Sequence, residues 1–138
     1  MKRRLFLAAP GLLAAPLIAR AGHADAELLH HYRLWAQAKR DWYRLSEVPG
    51  NEDWDCPESL DADRRQDAAF DAMMAIPART MEGIAVLAAL IWDCNGPDAL
   101  VSHPEYAVQA AWHENRPTLA LWRCATGRDD HPPLIQRA

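Results

Sequence analysis

At 138 residues, 50% hydrophobic and 25% charged, the chain has room for one ordinary globular domain and excludes two large ones. Its formal net charge of −4 excludes a general electrostatic attraction to nucleic acid or anionic membrane, which needs an excess of Lys and Arg on one face. Six Trp, ten Pro and six Gly describe an aromatic core punctuated by breaks, and nothing in that composition identifies a reaction.

The chain opens in three zones: basic Lys2, Arg3 and Arg4, an uncharged stretch from Leu5 to Ala19, and the small-residue site Ala19-Arg20-Ala21. This is the layout of a secretory signal peptide, and it predicts export with cleavage after Ala21, or after Ala24 as a second site. The uncharged stretch has 15 residues and carries Pro10 and Pro16, whereas a bilayer span needs about 20 apolar residues, so no permanent membrane span is expected. Arg3-Arg4 followed by Leu5-Phe6-Leu7 resembles the twin-arginine export signal, with Lys2 where that signal prefers Ser or Thr; the general secretion route stays open. Removing Lys2, Arg3, Arg4 and Arg20 with the leader leaves 11 basic residues against all 19 acidic ones, a formal charge of −8 that disfavours a phosphate or nucleic-acid partner. The leader is expected to pack on nothing, and the export machinery is the partner it implies.

A helical domain is predicted over 22–126. From Asp25 to Glu47, Leu28, Leu29, Tyr32, Trp35, Trp42 and Leu45 recur at three- and four-residue steps with Arg33, Gln37, Arg40 and Arg44 between them, an amphipathic helix that Pro49-Gly50-Asn51 ends. After an acidic loop, Glu52 to Glu58, Ser59 is the expected N-cap of a second helix to Ile76, with Ala69, Phe70, Met73 and Met74 on its apolar face. Pro77 stops it, and Thr80 caps a third helix, Met81 to Asp93. There Ile84, Val86, Leu87, Leu90 and Ile91 spread around most of the circumference, which predicts a central position with Leu87 and Leu90 almost wholly buried. Gly83 lowers helix propensity and suggests a close approach by another helix, and Asn95-Gly96-Pro97 predicts a left-handed cap and a stop. His103-Pro104-Glu105 restarts a helix to about Asn115, with Tyr106, Ala110 and Trp112 as a weaker apolar face. Residues 118–124 fit helix or strand, and helix is preferred because no second strand candidate exists to pair with them. The whole reads as an all-α bundle of four to five helices with an irregular tail over 127–138.

Candidate sites are few. Cys56, Cys94 and Cys124 lie 38 and 30 residues apart, which excludes a Cys-x-x-Cys motif and a c-type haem site; buried free thiols are expected, with a disulfide between two of them, its pairing undetermined, as the alternative. Glu27 and His30 share a helix face, with His31 adjacent, as in half of a di-iron motif, but no second Glu-x-x-His exists; Glu27, His30 and His31 are weak metal candidates. Asn51, Asp53 and Asp55 alternate like the first ligands of a calcium loop, yet Cys56 stands where the loop needs Gly and Ala62 where it needs Glu. Ser46, Ser59 and Ser102 lie in no nucleophile elbow, and no Gly-rich phosphate loop occurs. No catalytic residue and no cofactor is expected. Trp35, Trp42, Trp92, Trp112 and Trp122 fall on predicted helices as core residues, and Trp54, in the acidic loop, is left to cover the core or meet a partner.

The stretch Pro77-Ala78-Arg79-Thr80-Met81-Glu82-Gly83-Ile84-Ala85 resembles a segment of small bacterial exported proteins with a twin-arginine-like leader, often encoded near prophage genes. The resemblance implies a Pro-terminated helix, a Thr-capped restart and an apolar helix, and brings no activity or site with it. The chain departs from it at Val86-Leu87-Ala88, where those proteins tend to carry a basic residue. The resulting expectation is an exported, non-enzymatic helical protein that binds another protein or a small molecule, in the periplasm or outside the cell. The alternative is a periplasmic metal-binding or redox protein, because cofactor-loaded proteins use the twin-arginine route.

Overall fold

A computed structural model describes residues 24–135. The leader residues Arg3, Arg4, Phe6, Ala19 and Ala21 lie outside them, as does the very end of the tail. The described residues form an all-α bundle without a strand: α1 (Ala26–Leu45), α2 (Pro57–Met74), α3 (Met81–Asn95), α4 (Pro104–Ala110), a 3-10 turn (His113–Asn115) and α5 (Arg116–Thr126). Residues 118–124 are helical, within α5. No helix among the described residues is long and apolar enough to cross a membrane.

The periodicity of α1 buries Leu28, Trp35, Ala36 and Ala38. The helix closes at Ser46, whose hydroxyl donates to the Tyr43 carbonyl at 2.6 Å, before Pro49 and Gly50 are reached. Its partner α2 begins two residues earlier than Ser59. Pro57 takes the first helical position, where a missing N–H costs nothing, and Cys56 is the cap, its Sγ accepting from the Ser59 N–H at 3.4 Å. Ser59 is wholly buried and serves another purpose. The Asn51 amide donates to the Ser59 hydroxyl and to the Leu45 carbonyl, both at 2.8 Å, while its oxygen accepts from the Cys56 N–H at 3.1 Å. This buried knot closes the acidic loop and fixes α1 and α2 as an antiparallel hairpin. Arg65 meets Asp41 near the loop, and Ala68 and Ala69 lie beside His31 and Leu34 farther from it.

Thr80 caps α3 as expected, its hydroxyl oxygen accepting from the Gly83 N–H at 3.1 Å. The close approach at Gly83 comes from the start of α1. The buried Asp25 carboxylate accepts from the Arg79 N–H (2.9 Å), the Thr80 N–H (2.8 Å) and the Thr80 hydroxyl, and a Cβ on Gly83 would overlap it. Thr80→Ala is therefore expected to cost about 0.5–2 kcal/mol, measured by urea unfolding. Thr80→Ser should recover most of it, and Thr80→Asp, an equally good cap by type, should not, because a second carboxylate would face Asp25.

The apolar circumference of α3 places it at the centre. Leu90 joins Leu28, Trp35, Met73 and Ile135; Ala88 and Ala89 pack on Trp122 of α5; Trp92 packs on Tyr106 and Ala110 of α4. Burial is incomplete on one side, however. Leu90 is 3% exposed, but Leu87 is half-buried and Ile91 is 42% exposed, because no described element covers the furrow between α2 and α3. The stop after α3 also differs in kind: Gly96 has φ −81° and is not left-handed, and its missing side chain admits the Trp92 carbonyl instead. The left-handed glycine cap occurs at Gly127, φ 69°, after α5. Because α4 stops at Ala110, helical phase does not carry Trp112 inward, and that residue is exposed rather than core.

Candidate functional site

A cleft of about 610 Å³ lies between the C-terminal half of α1 and the tail. Tyr32, Arg40 and Tyr43 lie along a single stripe of α1 with Arg44 beside them, and Glu47 follows just past the end of the helix; Pro133, Leu134 and Ile135 form the opposite wall.

The described tail has no helix or strand, yet Asp130, His131, Pro132 and Ile135 anchor it. The Trp122 indole donates to Asp130 at 3.1 Å, and the His131 ring lies 5.5 Å from Trp92 and 5.4 Å from Tyr106. Pro132 is buried, and Ile135 enters the main core while its N–H donates to Asp93 at 2.7 Å. The other oxygen of Asp93 is ion-paired with Lys39 of α1. Only 2% of the Asp93 side chain and 15% of the Lys39 side chain is exposed, so this pair is a buried clasp joining α1, α3 and the tail. The Lys39 ammonium also sits 5.2 Å from the Trp35 ring and 5.8 Å from Tyr43, where the negative aromatic faces stabilise it.

Electrostatics in the cleft are mixed. Burial pushes the Tyr32 phenol up, the nearby Asp93 charge adds to that, and Arg40 opposes it, so Tyr32 remains a neutral donor at neutral pH. Arg44 bonds Asp41 at 2.9 Å, whereas Arg40 makes no hydrogen bond or ion pair among the described residues. Two guanidiniums and two phenols over an apolar wall suit a small ligand with one anionic group and an apolar body.

The residues singled out from sequence lie elsewhere. Among the described residues no three His, Cys, Asp or Glu side chains converge as metal ligands, Glu27, His30 and His31 included. His30 is exposed and His31 half-buried, their rings 5.4 Å apart edge to face. Cys56, Cys94 and Cys124 are free thiols but not buried ones: the first is half-buried and the others, near the C-terminal ends of α3 and α5, are exposed. In the acidic loop, Asn51 turns inward to the knot while Asp53 and Asp55 face solvent. Trp54 packs on Trp42 with ring centroids 3.6 Å apart and ring planes tilted by 37°, and is the one non-glycine residue with positive φ, 60°, among those described. That backbone conformation costs roughly 1–3 kcal/mol, which the ring contact and the Asn51 knot offset. Trp54 therefore covers the end of α1.

Sequence reasoning missed the cleft because Arg40 and Arg44 read as the solvent face of an amphipathic helix. The signal was the Tyr32-Arg40-Tyr43 stripe; the return of the tail onto it had none. No protein-family model, curated protein or solved structure matches the chain, so the cleft is interpreted from its own geometry.

Proposed function

We propose that the protein is an exported binding module that takes a small monoanionic carboxylate with an apolar or aromatic body in the α1–tail cleft. The observation that carries this reading is the pair Arg40 and Arg44 beside two phenols and the apolar Pro133–Ile135 wall. A guanidinium offers a planar fork of donors that matches a carboxylate, and an apolar wall gives the rest of the ligand somewhere to leave water. The net negative charge of the chain does not forbid this, because charges beyond a Debye length of about 8 Å are largely screened at physiological salt and the two guanidiniums act at contact.

The test is calorimetric titration and thermal shift with benzoate, phenylacetate, hexanoate and inorganic phosphate. At least one carboxylate is expected to bind and raise the melting temperature, with phosphate weaker. Arg40→Ala with Arg44→Ala should weaken that binding at least tenfold, and Arg33→Ala, outside the cleft, should leave it unchanged. Stabilisation that survives the double substitution, or no carboxylate binding at millimolar concentration, overturns the reading.

A further inference from the structure

A second concavity, about 420 Å³, runs between α2 and α3 and differs in chemistry from the cleft: Phe70 and Met74 line one side, and Leu87, Leu90, Ile91 and Cys94 the other. Met74 is 52% exposed and Ile91 42%, so a furrow on the most apolar helix of the fold stands open to solvent. We infer that this furrow receives the chain's own leader, the uncharged run from Leu5 to Ile18, before export.

Three observations select this occupant. The first is where the described chain begins. Asp25 is bonded to Arg79 and Thr80 at the start of α3, so the described chain, with 23 residues before it, begins beside the first turn of the helix that forms one wall of the furrow. The second is reach. Along α3 the furrow residues Leu87 to Cys94 lie about 6–17 Å beyond Gly83, and Ala19 to His23 extended span about 17 Å. The third is complementarity. The run supplies Leu5, Phe6, Leu7, Leu12, Leu13 and Leu17 to an apolar furrow, and it is headed by Lys2, Arg3 and Arg4. On α2 the exposed Asp67 and Asp71 flank Phe70 and attract such a cationic head, while they would repel the acidic surface of a second copy. The leader then remains with its domain until an export factor or protease takes it. This does not depend on the cleft or its ligand.

Cys94 at the end of the furrow reports occupancy. In the full 138-residue chain carrying Cys56→Ser and Cys124→Ser, the rate of Cys94 alkylation by a maleimide is compared with that of the same chain carrying Leu12→Glu, Leu13→Glu and Leu17→Glu. Circular dichroism confirms that both fold. The native leader is expected to slow alkylation at least tenfold, and Met74→Glu in the furrow should restore the fast rate without touching the leader. Equal rates for native and substituted leaders overturn the inference. Protection that disappears on dilution also overturns it, because the cover would then be a second copy.

Discussion

Asp25→Ala is expected to destabilise the fold by about 3 kcal/mol, because three donors aimed at one buried carboxylate lose their acceptor together. The Arg79 and Thr80 amides stand in the turn that starts α3 and the Thr80 hydroxyl is the helix cap, so the loss falls on the helix around which the core is built. Asp25→Asn keeps one acceptor oxygen and should lose about half as much. Gly83→Ala reaches the same site from the other side: the substitution gains about 1 kcal/mol of helix propensity, yet its Cβ must displace the carboxylate, and a net loss of roughly 1–3 kcal/mol is expected. The two substitutions should therefore be non-additive, with Gly83→Ala less harmful once Asp25 is Ala. Additive losses in urea unfolding would mean that the two residues do not share this space. The pH dependence has a definite sign. Burial alone raises the Asp25 carboxyl, but the hydrogen bonds from the Thr80 side chain and the Arg79 and Thr80 amides outweigh it and hold the group below its ordinary range. A depressed folded value makes the contribution complete above the unfolded carboxyl value of about 3.9, and it is lost as pH falls through the folded one. The stability gap between native chain and Asp25→Asn should accordingly be constant from pH 7 to 5 and narrow below pH 4.

Much of this latch was legible before the fold. Thr80 after Pro77 is a cap by residue type alone, and Gly83 within an otherwise apolar helix marked a close approach, because a glycine that lowers propensity there needs a reason. The approaching group was not legible, since Asp25 lies more than fifty positions away and its carboxylate looked like any first-turn acid. The same limit governs Asn51. Its spacing with Asp53 and Asp55 suggested alternating ligands, whereas burial pulled it alone inward to satisfy Ser59 and the end of α1. Local patterns of apolar residues, caps and breaks marked α1 to α4, because each needs only its own neighbours in sequence, whereas α5 fitted helix or strand and was separated from a strand only by the lack of a second strand to pair with. Periodicity overestimated Leu87, because an all-round apolar helix predicts burial on every side and the furrow to α2 stays uncovered. The cleft was the least legible feature. Its aromatic and cationic stripe lies within one helix, but what makes it a cleft is a tail with no regular structure, held by contacts that no local pattern encodes.

Asp93→Ala is expected to cost about 3–5 kcal/mol and to open the cleft, because it leaves the buried Lys39 ammonium without a counter-charge and the Ile135 N–H without an acceptor. Lys39→Met retains the aliphatic stem against Trp35 and Tyr43 but strands the Asp93 charge, and should be nearly as harmful. The double variant, Lys39→Met with Asp93→Leu, removes both charges in similar volume and should recover most of the lost stability, since the desolvation cost disappears along with the attraction. Recovery of stability need not restore the tail. Asp93 serves α1 through one oxygen and the tail through the other, and Leu supplies neither, so the double variant separates a sound core from a released tail. Trypsin cleavage after Arg128 reads this release directly: that residue sits at the root of the tail, paired with Asp130 and 5.8 Å from the Trp122 ring. Faster cleavage and weaker carboxylate binding at near-native stability are expected for the double variant. Native-like cleavage would show that burial of Pro132 and Ile135 holds the tail without Asp93, and the cleft would then owe its second wall to hydrophobic packing rather than to the ion pair.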